Sequence, residues 1–271
     1  LTGPIGVFDS GVGGMTVLRA LRSALPAAQF VYLGDTARLP YGTKSPQSVI
    51  RYSLQCAEAL VSRGIGCLVV ACNTASASAL GALRARYPDL SVIGVIEPGA
   101  AAAVAASRSR HIAVIGTEGT VGGGAYQRAI HRLDAGIRVT ARACSLFVAM
   151  AEEGWTEGAI AEAVARRYLE PIFGAPDGGP HGGPDTLVLG CTHFPVLAAA
   201  IRGALPAHVA VVDSADTVAA AVARDLAPTL QASRCGGVTW LATDGAARFA
   251  RVSGIFLGQA LRADEIEIVD L

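Results

Sequence analysis

Short apolar runs, each ending in a polar loop, recur along this chain and alternate with stretches whose apolar residues fall three and four apart. That alternation predicts parallel strands joined by helices. Ile5-Gly6-Val7-Phe8 predicts a buried strand, and Asp9-Ser10-Gly11-Val12-Gly13-Gly14 the loop that leaves it. A helix is predicted over 15–25, where Val17, Leu18, Leu21 and Leu25 keep one face and Pro26 ends it. Phe30 to Leu33 predicts the next strand, followed by a polar loop from Gly34 to Gly42. From Ser45-Pro46 a helix is predicted to run to Arg63, with proline at a favourable first-turn position and Ile50, Leu54, Ala57 and Val61 on one stripe.

Cys67-Leu68-Val69-Val70-Ala71-Cys72-Asn73-Thr74 reads as a third strand that presents Cys72 where it stops, with a helix over 75–87 and a strand from Ser91 to Ile96 after it. Glu97-Pro98-Gly99 interrupts the alternation and marks a candidate domain crossing. The alternation then restarts. His111 to Gly116 is a strand flowing into a Thr117-Glu118-Gly119-Thr120 loop, Val139 to Cys144 a further strand, and 156–169 a helix using Ile160, Val164 and Tyr168. Residues 174–184, dense in glycine and proline, predict a surface loop. Thr186 to Gly190 is then a strand delivering Cys191 and, two residues later, His193. A helix at 196–205, a strand at 209–212, a helix at 215–226, a strand at Val238 to Leu241 and a last short helix and strand complete the chain. Each half repeats a strand ending in a Gly/Ser/Thr loop and later a strand ending in cysteine. The predicted fold class is α/β, with two similar α/β domains of mostly parallel sheets facing each other across a central cleft.

Composition narrows this picture. With 52% hydrophobic and 16% charged residues over 271 positions, the chain belongs with folded globular proteins and has length for two domains. No apolar run reaches the roughly 18 uncharged residues of a membrane-spanning helix. Lys plus Arg balances Asp plus Glu at 22 each, without like-charge blocks, so nothing suggests nucleic acid or an anionic membrane as partner. The first residues lack a secretory pattern, and the cytoplasm is the expected location. Six cysteines, Cys56, Cys67, Cys72, Cys144, Cys191 and Cys235, are too sparse for a disulfide scaffold and are treated as thiols.

In open α/β sheets ligands bind beyond the carboxyl ends of the strands, which nominates Asp9, Ser10, Cys72, Asn73, Thr74, Cys191, Thr192 and His193. The Gly11 to Gly14 loop is equally open to a phosphate-binding reading and to that of a tight turn that lets backbone pack closely. Cys56, Cys67, Cys144 and Cys235 read as inert buried thiols. Cys72 and Cys191 differ, because each sits where an apolar run gives way to polar helix-start residues, a setting expected to lower a thiol pKa from about 8.5. Zinc is disfavoured, since Cys191 and His193 have no second closely spaced ligand pair. A Cys191–His193 catalytic unit is also disfavoured, on the expectation that these two side chains point apart. Two thiols flanking one small molecule suit inversion of a carbon centre, one taking a proton from one face and the other returning a proton to the opposite face. Asp9 and His193 are then the ionisable neighbours able to orient or tune them.

These residues resemble the cofactor-independent aspartate/glutamate racemase superfamily, and within it the glutamate racemases. The matching segments are Gly6 to Gly14, Gly34-Asp35-Thr36 with Pro40-Tyr41-Gly42, Val70 to Ala75, Gly94 to Pro98, and Leu189 to Pro195. The resemblance implies interconversion of L- and D-glutamate without cofactor or metal, supplying D-glutamate for peptidoglycan. Cys72 would deprotonate the D-isomer and Cys191 the L-isomer, assisted by Asp9, His193 and Glu152, with Glu153 the competing choice for the last. Asp9, Ser10, Pro40, Tyr41, Gly42, Asn73, Thr74, Thr117, Thr120, Thr192 and His193 would bind substrate. It implies a first domain of residues 1–97 with 212–271, a second of 98–211, a small-molecule partner, and a fold compatible with a homodimer. Ser145, the run Val121 to Gly124 and Thr243-Asp244-Gly245 depart from the family's usual pattern. A racemase of aspartate or another amino acid, or a non-catalytic amino-acid-binding protein with the same cleft, are the alternatives.

Overall fold

The computed structural model describes residues 3–174, 183–226 and 236–271; Cys235 and most of the predicted 174–184 loop lie outside them. The first strands alternate with helices as β1 (Ile5–Asp9), α1 (Met15–Ala24), β2 (Phe30–Gly34), α2 (Pro46–Val61), β3 (Cys67–Val70), α3 (Asn73–Arg86), β4 (Ser91–Gly94) and α4 (Ile96–Ala106). The second series is β5 (His111–Gly116), α5 (Glu118–Gly122), α6 (Ala125–Leu133), β6 (Arg138–Ala143), α7 (Leu146–Glu152), α8 (Gly158–Phe173), β7 (Thr186–Gly190), α9 (Ala198–Gly203) and β8 (Ala210–Asp213). The chain then adds α10 (Ser214–Leu226), β9 (Val238–Ala242), α11 (Ala246–Leu257) and β10 (Ile266–Ile268).

The strands form two sheets, ordered β10-β9-β2-β1-β3-β4 and β6-β5-β7-β8, and every pairing is parallel. The order β2-β1-β3-β4 recurs as β6-β5-β7-β8, so the repeat seen in sequence is a repeat of topology. In each sheet the chain goes to one side of its first strand and then crosses to the other. The ends of β1 and β3, and of β5 and β7, flank these switch points, where open sheets leave a crevice.

Strand periodicity explains how the first sheet is buried on both sides. Ile5, Val7, Phe30, Tyr32 and Val69 join a core shared with α1, α10 and the second sheet, while Phe8, Val31, Leu33, Leu68 and Val70 join another beneath α2 and α3. Because one core runs from the first sheet into the second, the two halves do not pack as separate bodies.

Several expectations need correction. Glu97-Pro98-Gly99 is not a loop but part of the first turns of α4, the helix by which the chain passes from the first sheet to the second, where proline loses no hydrogen bond. The predicted strand to Ile96 stops at Gly94 because Ile96 already begins that helix. Over 196–205 a 3-10 turn, Phe194–Leu197, precedes the short α9. The glycine-rich run after Thr120 hides two helices: α5 ends there, and Gly124 at φ 61° admits the left-handed turn that starts α6. Chain passage between the sheets is through α4, which spans residue 97, and β8 spans residue 211 while pairing in the second sheet.

Asp185 anchors the start of β7. Its carboxylate accepts the backbone N–H groups of Arg108 and Ser109, both at 2.6 Å, and the Ser107 hydroxyl at 2.8 Å. Despite the cost of partial burial, those bonds hold its pKa down at about 2. A depressed carboxyl pKa stabilises the fold above the unfolded value near 3.9, and that contribution fades as pH falls through the folded value. Asp185→Ala is expected to cost about 2 kcal/mol at neutral pH. In thermal melts, the gap from the unsubstituted protein should close as pH falls below 4 towards about 2.

Candidate active site

The carboxyl ends of the two sheets meet around one small cavity of about 20 Å³, lined by Ser10, Pro40, Tyr41, Gly42, Cys72, Asn73, Thr74, Thr117, Val148, Cys191, Thr192 and His193. A cavity that size admits about one water. It adjoins a larger cavity of about 270 Å³, sharing Pro40, Gly42, Thr117 and Val148 and reaching Ser145 and Glu152. Among the expected site residues, Asp9, Thr120 and Glu152 do not line the inner cavity. Each instead contacts a residue that does.

Local sequence explains the placement. Ala71 follows β3, and Cys72 is the N-cap of α3, its sulfur accepting the Ala75 N–H at 3.5 Å and lying 3.6 Å from the Ser10 hydroxyl. Gly190 ends β7, and Cys191 begins a turn closed by the Phe194 N–H on the Cys191 carbonyl. His193 has helical backbone angles, so the segment is not extended. The expectation that Cys191 and His193 point apart therefore fails: Sγ and Nδ1 are 3.8 Å apart. Residues two apart would in any case share a face of an extended strand.

Asp9 is fully buried, accepts the Gly11 N–H at 3.0 Å and lies 3.4 Å from the Thr192 hydroxyl. Burial raises its pKa, opposed chiefly by the charge of His193. The histidine is held on its other nitrogen, with Nε2 3.2 Å from Glu152 Oε1, while Arg248 donates to Glu152 Oε2 at 2.8 Å. Burial alone would lower the His193 pKa, yet Cys191, Glu152 and Asp9 together push it up to about 10. The imidazole is therefore a cation at neutral pH, and gives an anion at Cys191 Sγ a counter-charge. Glu153, the competing choice to Glu152, is exposed, and of the two only Glu152 bonds to His193.

The expected lowering of the thiol pKa does not occur at Cys72. Burial first, then the nearby Asp9 carboxylate, raise it to about 12, outweighing the Ala75 N–H and the Ser10 hydroxyl. Cys56, Cys67 and Cys144 are buried and free.

The Gly11 to Gly14 loop serves close approach. A Cβ on Gly13 would lie 2.4 Å from His193 Nδ1 and 2.6 Å from Thr192 Oγ1, and one on Gly14 2.4 Å from Asp9 Cβ. Three hydroxyls from both halves also converge, Thr74 meeting Thr117 at 2.9 Å and Thr120 at 3.2 Å. Sequence reasoning missed Thr16, whose hydroxyl donates to the carbonyls of Gly13 and Thr192, and Tyr126, Val148 and Arg248. None of these lies in the first loop after a strand, where the search for site residues was made. Among the described residues no group of three or more His, Cys, Asp or Glu side chains is placed to hold a metal ion, and no helix is long and apolar enough to cross a membrane.

Two parallel α/β halves that share a buried, polar, thiol-bearing cavity at their strand ends define a small-molecule enzyme of the isomerase class. The chain belongs to the Asp/Glu/hydantoin racemase family, whose family model matches residues 5–222. It is 49% identical over 263 residues to the glutamate racemase of Geobacter metallireducens, covering 95% of this chain and 93% of that one. Among solved structures, the glutamate racemase of Thermus thermophilus in complex with beta-chloro-D-alanine superposes with a TM-score of 0.86 at 42% identity, covering 100% and 98% of the two chains. That of Francisella tularensis in complex with D-glutamate gives 0.89 at 32% identity, covering 99% and 98%.

Two outcomes test this geometry. Gly13→Ala should displace His193 and lower kcat/KM roughly 100-fold, the scale of an ångström's misplacement, and lower the melting temperature by a few degrees through overpacking; unchanged kinetics and stability would remove the close-approach reading. Glu152→Gln removes the carboxylate partner of the imidazolium, so the His193 pKa, followed by histidine NMR, should fall from about 10, whereas Glu153→Gln should leave it in place.

Proposed function

We propose that this protein interconverts L- and D-glutamate by cofactor-independent transfer of the α-proton, supplying D-glutamate for peptidoglycan. The observation that carries the reading is that Cys72, from the first sheet, and Cys191, from the second, line one small cavity. The glutamate racemase names of its relatives supply the substrate.

In the L-to-D direction a Cys191 thiolate takes the α-proton, and the electron pair of the broken C–H bond delocalises towards the α-carboxylate. The Cys72 thiol then gives its proton to the opposite face, leaving a Cys72 thiolate and a Cys191 thiol. The D-to-L direction runs the same steps with the roles exchanged. Burial suits Cys72 to the donor role, because a thiol with a pKa near 12 keeps its proton at neutral pH. The His193 cation, oriented by Glu152, balances charge at Cys191, and Asp9 sets the electrostatics between the two sides. Ser10, Asn73, Thr74, Thr117, Thr120 and Thr192 supply hydroxyl, amide and helix-start N–H groups for the substrate's charged ends, with Pro40, Tyr41 and Gly42 closing over it. A cavity of about 20 Å³ is smaller than glutamate, so the two halves loosen locally around the cleft for entry and close again for chemistry.

Circular dichroism of L- or D-glutamate incubated with the protein tests the activity: either enantiomer should lose its optical activity. Retained optical activity for both would defeat the assignment. Cys72→Ser and Cys191→Ser should each reduce racemisation by about 10²–10⁴-fold or more, the range for loss of a positioned acid or base. In deuterated water the product should carry deuterium at the α-carbon.

A further inference from the structure

One buried hydroxyl bridges the two halves beside the site. Thr16 lies in the first turn of α1 and is 2% exposed, and its Oγ1 donates to two carbonyls, those of Gly13 and Thr192, each at 3.0 Å. Gly13 is a neighbour on the same loop, whereas Thr192 follows β7 in the second half and stands between Cys191 and His193. A hydroxyl has one hydrogen, so the two carbonyls share it in a three-centre bond.

The two acceptors have different uses. The Gly13 carbonyl already accepts the Thr16 backbone N–H at 3.1 Å, and a helical threonine turns its hydroxyl back to such a carbonyl by local preference. That local bond selects the side-chain rotamer and aims the hydroxyl across the junction at Thr192. Approach is open because the loop ahead of α1 carries no side chain at Gly13, where a Cβ would fall 2.6 Å from Thr192 Oγ1.

Holding the Thr192 carbonyl holds the plane of the peptide that runs on into His193, since a peptide unit is rigid. The imidazole at its end works within narrow bounds: Nδ1 is 3.8 Å from Cys191 Sγ, Nε2 is 3.2 Å from Glu152 Oε1, and the Phe256 ring packs edge-on with centroids 5.1 Å apart. Those contacts orient the ring. The point from which it hangs is set by the backbone, through the turn closed on the Cys191 carbonyl and through the bond from Thr16.

We propose that Thr16 is a positioning residue for the Cys191 side of the reaction: from the first half it holds the Thr192–His193 peptide, and with it the imidazolium, in place against Cys191 Sγ. This rests on the proposed racemisation of glutamate, in which Cys191 takes the proton of the L-isomer and gives one back to form it. Thr16 is not among the residues lining the cavity, and its hydroxyl bonds to neither thiol. Its loss therefore slows proton transfer at Cys191 and leaves transfer at Cys72 as it was.

Thr16→Val replaces the hydroxyl by a methyl group of similar size. It should lower kcat/KM about tenfold for both enantiomers, short of the 100-fold scale of a full ångström's misplacement, with the loss in kcat rather than KM. Thr16→Ser keeps the hydroxyl and should recover most of that loss. Primary isotope effects on kcat/KM separate positioning from scaffolding, because the label of α-deuterated L-glutamate is removed at Cys191 and that of α-deuterated D-glutamate at Cys72. Slowing of the Cys191 step alone raises the first effect and lowers the second, so the ratio of the two should rise in Thr16→Val above that of the unsubstituted protein. A slower enzyme with an unchanged ratio would overturn the proposal, as would undiminished activity or a serine variant as slow as the valine one. Thr16→Ala, which adds no bulk, carries the same comparison where Thr16→Val does not fold. Failure of both to fold beside a folded Thr16→Ser would mark a folding role and also overturn it. An unsubstituted protein that racemises neither enantiomer would defeat the glutamate reading itself, whereas an unmoved ratio in an active enzyme defeats the positioning role alone.

Discussion

Close approach of the two sets of strand ends is the constraint from which the site's other properties follow. Backbone meets side chain across the junction at positions where no Cβ fits: Gly13 against His193 and Thr192, Gly42 against Thr117, and Gly119 against Thr74. Exclusion of all but about one water's worth of space follows from that fit. Low local polarity then makes each remaining charge count for more, which is why Asp9 and Cys72 are pushed upwards and why His193 responds so strongly to its neighbours. The same close fit is backed by a shared core that joins the sheets, so the cleft is a local feature between them rather than a gap between two independent bodies.

The two thiols occupy matching places in the repeated topology, yet their surroundings differ. Cys72 caps a helix and touches a hydroxyl, whereas Cys191 faces an imidazolium backed by Glu152 and Arg248. Under the proposed reaction this asymmetry gives the resting site one proton donor and one acceptor. Arg248 comes from α11, beyond the second sheet in the chain, so the support of the Cys191 side is itself assembled from both halves.

Much of the fold was legible because strand periodicity and βα alternation are local signals. β1, β2, β3, β5 and β7 are continuous apolar runs, as strands covered on both faces should be, and each was found within a residue or two. The helices after Thr120 escaped because glycine lowers helical propensity, and tertiary packing of Tyr126, Ala129 and Ile130 overrode it. The site was legible to the extent that it lies just beyond strand ends. Tyr126, Arg248 and Thr16 were not, since each sits inside a helix whose sequence reads as ordinary amphipathic surface or core. The direction of the Cys72 shift was misread for a related reason: helix-start N–H groups are visible in sequence, but the burial that outweighs them exists only once the halves have closed.

Under the proposed reaction, duplication explains why such a site suits inversion of configuration. A single open sheet presents its strand ends to one side of a ligand, and so reaches one face of a tetrahedral carbon. Two sheets with the same strand order, apposed at their carboxyl ends, bring equivalent positions to the cavity from opposite halves. Equivalent thiols then need no new geometry to serve as acid and base. What must be added is discrimination between them, and it is supplied by groups outside the repeat's common plan: His193 follows Cys191 by two residues, while the residue two after Cys72 is Thr74, which turns to the hydroxyl cluster instead. The fold thus determines where the two sulfurs stand, and a few residues around them make their surroundings differ.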